Sequence, residues 1–251
     1  MTTNFLRYSR YYDLLYKGKN YKAETDYVLE QLRPYLSDGA HLLELGCGTG
    51  GHAESFCNAG YQVTGIDRSA DMIEQAMQKK IPGFTSLVAD ITSFSTPQRY
   101  EAAFSLFHVV GYLTTNAALS ACFKATFEHL KPGGVFCFDC WYGPGVLHEL
   151  PGPRVRKLYD EGLKLIRTAT PMLHVEQNVV EVQYDVQVNH LQSGQSETLQ
   201  ETHFMRYFTI PEVHWIAEQA GFTVLKTEEF LTSATAGINT WNLFVMLQKA
   251  G

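Results

Sequence analysis

No stretch of this chain approaches the ~20 consecutive apolar residues that cross a bilayer. The opening residues also lack the apolar core of a secretory signal. Only five of the 251 residues are cysteine. An odd count in a chain of this size does not make a disulfide framework. No lysine or arginine run stands out and the formal net charge is -6, which argues against a polyanionic nucleic-acid partner. No His/Asp/Glu cluster argues for a metal, and no internal repeat or low-complexity segment is present. These absences lead to the expectation of a cytoplasmic protein with no nucleic-acid or membrane partner; a small-molecule partner and a monomeric or homodimeric state are expected alongside. Hydrophobic residues make up 45% and charged ones 18%, enough apolar material for a sizeable core.

One cysteine pair raises a question. Cys137-Phe-Asp-Cys140 has a CxxC spacing, but it falls in the apolar run 135–141. Residues three apart on a strand face opposite sides, so the sulfurs diverge. With no second Cys or His pair to complete a zinc set, the run reads as a buried strand.

The first forty residues read as helical and rich in tyrosine. A strict alternation follows. Strands are expected at 41–45, 61–67, 84–90, 100–107 and 135–141. Between them, helices are marked by Ala53, Phe56 and Cys57, by Met72, Ile73, Ala76 and Met77 behind a Ser69 N-cap, and by Leu119, Cys122, Phe123, Phe127 and Leu130. Such alternation with short loops predicts a doubly wound, Rossmann-like α/β fold.

The alternation breaks after Trp141. Glycines and prolines make 142–160 read as loop. Alternating segments at 163–170, 174–190 and 197–208, with a turn at 192–195, predict a small inserted antiparallel sheet. A helix over 211–220 and two closing strands, 222–230 and 241–248, complete the core. The expected organisation is residues 1–141 as N-terminal helices and cofactor core, 142–208 as an inserted cap, and 209–251 as the closing helix and hairpin. The sheet is expected to hold seven strands, mostly parallel, with the last one antiparallel.

The strongest chemical signal is Leu43-Glu-Leu-Gly-Cys-Gly-Thr-Gly-Gly51, a strand ending in a glycine turn that feeds a helix. Glycines there let a ligand approach the backbone. The spacing of Gly46, Gly48 and Gly51 also fits the dinucleotide fingerprint, so glycines alone leave nicotinamide and S-adenosylmethionine (SAM) both open. Asp67 ends the second strand, where a carboxylate accepts hydrogen bonds from ribose hydroxyls. Asp90 ends the third. With Glu44, Gly46, Gly48 and Gly50 matching acidic-x-Gly-x-Gly-x-Gly, and an antiparallel closing pair, the chain resembles the class I SAM-dependent methyltransferases. That resemblance implies that Glu44, Gly46, Cys47, Gly48 and Gly50 meet the methionine and ribose of SAM, that Asp67 holds the ribose, that Arg68 and Met72 flank the adenine, and that Asp90 with Ile91 meets its edge.

On the acceptor side, Ser105-Leu-Phe-His108-Val-Val-Gly-Tyr112-Leu follows the fourth strand. Phe107, His108 and Tyr112 are thereby placed towards the transferable methyl. The Asp/Asn-Pro-Pro-Tyr motif of nucleobase and amide methylating branches is absent. Three stretches (Tyr12 to Tyr21, Ser105 to Leu113, and His129 to Val135 leading into Trp141) are similar to N-methyltransferases that dimethylate nucleotide-linked aminosugars. The resemblance implies that Tyr16 and Tyr21 close over the amino-acid end of SAM. His108 is the candidate base and Tyr112 an orienting group. Trp141, His203 and Arg206 are candidates for contacting the acceptor, Arg206 through a phosphate or carboxylate. Three alternatives stay open: an O-methyltransferase, a non-catalytic SAM-binding protein, and an NAD-dependent oxidoreductase, although no Tyr-x-x-x-Lys follows the fifth strand.

Overall fold

The computed structural model describes residues 8–160 and 162–251. The expectations for the first seven residues lie outside these. In chain order the elements are α1 (Tyr12–Leu15), α2 (Tyr21–Leu32), β1 (His41–Leu45), α3 (Gly51–Asn58), β2 (Gln62–Asp67), α4 (Ala70–Gln78), β3 (Phe84–Val88), β4 (Tyr100–Ser105), α5 (Asn116–His129), β5 (Leu130–Trp141), α6 (Gly143–His148), β6 (Arg154–Asp160), β7 (Leu163–His174), β8 (Val179–His190), β9 (Ser196–Arg206), α7 (Ile210–Gln219), β10 (Phe222–Glu229) and β11 (Asn242–Lys249). Among the described residues no helix is long and apolar enough to cross a membrane.

The main sheet has seven strands in the order β10-β11-β5-β4-β1-β2-β3. Strand β11 lies antiparallel to both β5 and β10, and the remaining pairs are parallel. Period-two alternation sends the buried strand residues into two cores. Leu43, Leu45, Phe136, Phe138 and Val245 meet α5 and α7 through Phe123, Val213 and Ile216. Leu42, Val63, Phe104, Val135 and Phe244 meet α2 and α3 through Leu32 and Phe56. Cys137 lies in the second core and Cys140 in the first, so the CxxC sulfurs point to opposite faces of the strand and both are free.

The four-stranded antiparallel sheet β6-β7-β8-β9 is the insertion. Here one expectation needs correction. Residues 142–160 are not loop, because they contain α6 and β6. Pro144 sits in the first turn of α6, where a missing N–H costs nothing and a fixed φ suits the helix. Gly145 is small because of packing: a Cβ there would lie 2.0 Å from the Thr240 carbonyl oxygen. Strand β6 escaped notice because it is an edge strand exposed along nearly its whole length, so no buried face imposes a period.

Candidate active site

The carboxyl ends of β1, β2, β4 and β5 open into a cavity of about 410 Å³, roofed by the inserted sheet and the N-terminal helices. The glycine turn forms its floor. Gly46 has φ +73°, and a Cβ on it would meet Val109 Cγ1 at 2.4 Å. Only glycine satisfies both constraints. Gly48 has φ +52°, and a Cβ there would project into open space. The turn therefore presents bare backbone to whatever occupies the cavity.

Asp67 braces this turn. Its Oδ2 accepts from the Gly48 N–H at 3.0 Å and its Oδ1 from the Ser69 N–H at 2.8 Å. Burial raises its pKa above the ordinary carboxylate value, opposed by those N–H donors. Each oxygen keeps a lone pair for a further donor. Asp90 accepts from the Thr92 N–H and hydroxyl at 2.8 and 2.7 Å. Both acids line the cavity, as do Cys47, Arg68, Met72 and Ile91.

Two proposed cofactor contacts fall elsewhere. Glu44 does not line the cavity. It is buried beneath the turn, where burial drives its pKa well up and the Ala53 N–H donates to it. Gly50 caps α3 in the left-handed region and faces Phe84 and Ile81. Thr49 and Gly51 reach the cavity in its place.

Beyond the turn the wall becomes aromatic. Phe107 and His108 both have left-handed φ, +67° and +61°, which aims two side chains into the cavity from one loop. Tyr16 stacks edge-on against Phe107 with centroids 5.0 Å apart. Tyr21 packs on His52 at 4.8 Å, and Lys19 lies 4.1 Å over the Phe107 ring. Glu24 holds His52 at 2.6 Å and also pairs with Lys19.

His108 Nδ1 lies 2.7 Å from Asp139 Oδ2, and the His108 backbone N–H donates to Oδ1 at 3.1 Å. Asp139 is fully buried on β5. Burial alone would raise its pKa, yet the His108 ring and N–H hold it below the ordinary value. A second set faces it: the Tyr112 hydroxyl bonds His203 Nδ1 at 2.8 Å, and His203 Nε2 meets Glu201 at 2.9 Å. Burial drives the Tyr112 phenol pKa well up. Trp141, Tyr184 and Met205 complete the lining.

Arg206 needs correction. It leaves the cavity to pair with Glu212, donating also to Asn116 at 2.7 Å. Residues 203 and 206 are three apart on β9, so they face opposite sides. The same parity that separated the two cysteines could have foreseen this. Asp139, Tyr184 and His52 were missed. Asp139 carried a signal, a lone acid inside an otherwise apolar strand. Tyr184 and His52 carried none without the fold.

A seven-stranded sheet of this order, closed by an antiparallel strand and bearing a glycine turn with acids at the next two strand ends, is the architecture of class I SAM-dependent methyltransferases. Residues 42–134 match the family model described as a methyltransferase domain. Over 135 residues the chain is 36% identical to the dTDP-3-amino-3,4,6-trideoxy-alpha-D-glucopyranose N,N-dimethyltransferase of Streptomyces venezuelae, covering 53% of this chain and 56% of that protein. It is 31% identical to the dTDP-3-amino-3,6-dideoxy-alpha-D-glucopyranose N,N-dimethyltransferase of Streptomyces fradiae, covering 53% and 52%. The chain thus spans about half the length of the curated relatives it matches. Among solved structures, a SAM-dependent methyltransferase from Clostridium acetobutylicum aligns with TM-score 0.82 at 20% identity, covering 97% of this chain and 98% of that one. Streptomyces venezuelae DesVI aligns with TM-score 0.80 at 25% identity, with the same coverage. Residues 42–134 are thus a methyltransferase domain, and the chain shares its fold with SAM-dependent methyltransferases.

The residues present fit SAM. Bare backbone at Gly48 leaves room for close approach, two acids stand ready for hydroxyl and amine donors, and the volume falls within the usual range for a ligand of this size.

Proposed function

We propose that this protein transfers a methyl group from SAM to the amino group of a small, nucleotide-linked sugar. The observation that carries the reading is the His108–Asp139 pair facing the cavity beyond the glycine turn. The named relatives that dimethylate aminosugar nucleotides support the acceptor class.

When bound, SAM supplies a methyl group already activated by its positive sulfur. The chain's task is to deliver a neutral, oriented amine and to exclude water. Asp139 Oδ2, 2.7 Å from His108 Nδ1, sets the position of the ring, and Nε2 is the ring nitrogen away from that contact. Nε2 then takes the proton that an ammonium acceptor must lose. Tyr112, fixed by His203 and Glu201, orients the acceptor. Gly46, Cys47, Gly48, Asp67, Arg68, Met72, Asp90 and Ile91 hold the nucleoside and amino-acid parts of the donor. Tyr16, Tyr21 and Phe107 shield the reacting end, and Trp141 walls the acceptor side.

The reading is tested by calorimetry with S-adenosylhomocysteine and by mass spectrometry of a panel of dTDP-aminosugars and hydroxylated analogues incubated with SAM. Mono- and dimethylated amines are expected, and His108→Gln should lower kcat about a hundredfold or more. Methylation of hydroxyl groups alone would move the acceptor from nitrogen to oxygen. Binding of NAD without affinity for S-adenosylhomocysteine would overturn the whole reading.

A further inference from the structure

The acceptor end of the cavity is walled by rings rather than by cations. Among the described residues that line the cavity, Arg68 is the one lysine or arginine, and it sits at the donor end next to Asp67. Beyond the glycine turn the lining turns to Tyr16, Phe107, Trp141 and Tyr184. Four separate parts of the chain supply them: Tyr16 follows α1, Phe107 follows β4, Trp141 ends β5 and Tyr184 lies in β8. Trp141 and Tyr184 pack on the same small cluster of Val146, Val180, Val182 and Tyr207, which brings the tip of β5 and the roof together. The Tyr16 and Phe107 rings lie 5.0 Å apart.

Two histidines stand among these rings. His108 lies 5.8 Å from Phe107 and 5.9 Å from Trp141, and His203 lies 5.0 Å from Tyr184, centroid to centroid. Each histidine meets a carboxylate, Asp139 at 2.7 Å and Glu201 at 2.9 Å. Neither acid lines the cavity, so both charges lie behind the imidazoles. They offset any proton that the histidines take up.

The face of an aromatic ring carries the negative end of its quadrupole. A cation within about 6 Å of the centroid is attracted to it. Rings of this wall already hold cations from outside. Lys19 Nζ lies 4.1 Å over Phe107, and the Arg167 guanidinium lies 5.6 Å from Tyr16 and 5.1 Å from Tyr184. Neither cation lines the cavity.

Methyl transfer to an amine moves a positive charge into this space. The nitrogen lone pair forms the N–C bond while the C–S bond breaks and leaves its electron pair on sulfur. The charge thus passes from sulfur to nitrogen. A hydroxyl acceptor would lose its proton and end neutral. A wall that attracts positive charge therefore lowers the barrier for nitrogen more than for oxygen.

We infer that Tyr16, Phe107, Trp141 and Tyr184 form a subsite for an alkylammonium group, the charged nitrogen that transfer leaves on the acceptor. This rests on the proposed methyl transfer and says what the acceptor end recognises.

The test uses the full chain saturated with S-adenosylhomocysteine and titrated in a calorimeter with choline and with 3,3-dimethylbutan-1-ol, its uncharged carbon counterpart of the same shape. Choline has no N–H, so its charged head cannot donate a hydrogen bond to a histidine or a phenol. It is expected to bind about tenfold or more tightly than the alcohol. The ratio of the two affinities is the readout, because a misplaced wall weakens both probes alike. Trp141→Leu should lower that ratio about fivefold, while Trp141→Phe keeps most of it. Tyr184→Leu and Tyr184→Phe repeat the comparison on the roof, should the first pair fail to fold. Equal binding of the two probes, no binding of choline, or a ratio that survives the leucine variants or falls as far in the phenylalanine ones would each overturn the subsite. Failure of the unmodified protein to bind S-adenosylhomocysteine would instead remove the reading beneath it.

Discussion

A single carboxylate shows how this site is set. Asp139 is buried, where an isolated charge is costly, yet its pairing with His108 keeps it ionised. The sign of its pH effect follows. Because its folded pKa is depressed, its stabilisation is complete above the ordinary value of 3.8 and disappears as pH falls through the folded value. Asp139→Asn keeps the shape and removes the charge. It should cost about 2 kcal/mol at pH 7, and urea midpoints of variant and unmodified protein should converge as pH drops below 3.8. An unchanged gap across that range would mean that the carboxylate is not the source. At this scale the sequence disclosed the residues whose role is local. Gly46, Gly48, Asp67 and Asp90 sit at strand ends that alternation locates. Tyr184 depends on the pairing of β7, β8 and β9, which no local pattern specifies.

Elements were legible where burial imposes a period. Strands β1, β2, β4, β5 and β11 are apolar because both faces are covered, and α5 and α7 carry one apolar face each. Legibility failed at α6 and β6, where glycine answers to a neighbouring carbonyl and the edge strand has no buried face to repeat. Helix α2 offers an element-scale test. Its N-cap is Asn20, whose side chain accepts from the Ala23 N–H at 3.0 Å. One of four otherwise unpaired N–H groups is thereby satisfied. Asn20→Ala should lower unfolding stability by about 1 kcal/mol in urea denaturation, and no loss would show that the bond adds nothing there.

Across the whole molecule, the N-terminal segment ties two units together. Asp13 meets Lys79 at 2.8 Å and the Thr49 hydroxyl at 2.6 Å on the donor side. On the inserted sheet, Tyr11 bonds Glu197, Lys17 pairs with Asp160, and Leu15 is buried against Leu165, Val186 and Leu199. Deleting residues 1–19 would uncover that apolar patch and unhook the roof from the glycine turn. The truncated protein should bind S-adenosylhomocysteine about tenfold or more weakly and bind the dye ANS more strongly, read by calorimetry and fluorescence. Unaltered affinity would show the strap to be decoration.

The paired left-handed residues Phe107 and His108 reach further than the site they shape. A non-glycine residue in that region costs on the order of 1–3 kcal/mol, and two adjacent ones draw down a margin of stability that is small in any folded domain. Heat tolerance and turnover therefore pull against each other at this one corner. Selecting this protein for hot conditions alone would relax the loop first, and under the proposed function the hardier descendants would be the slower ones.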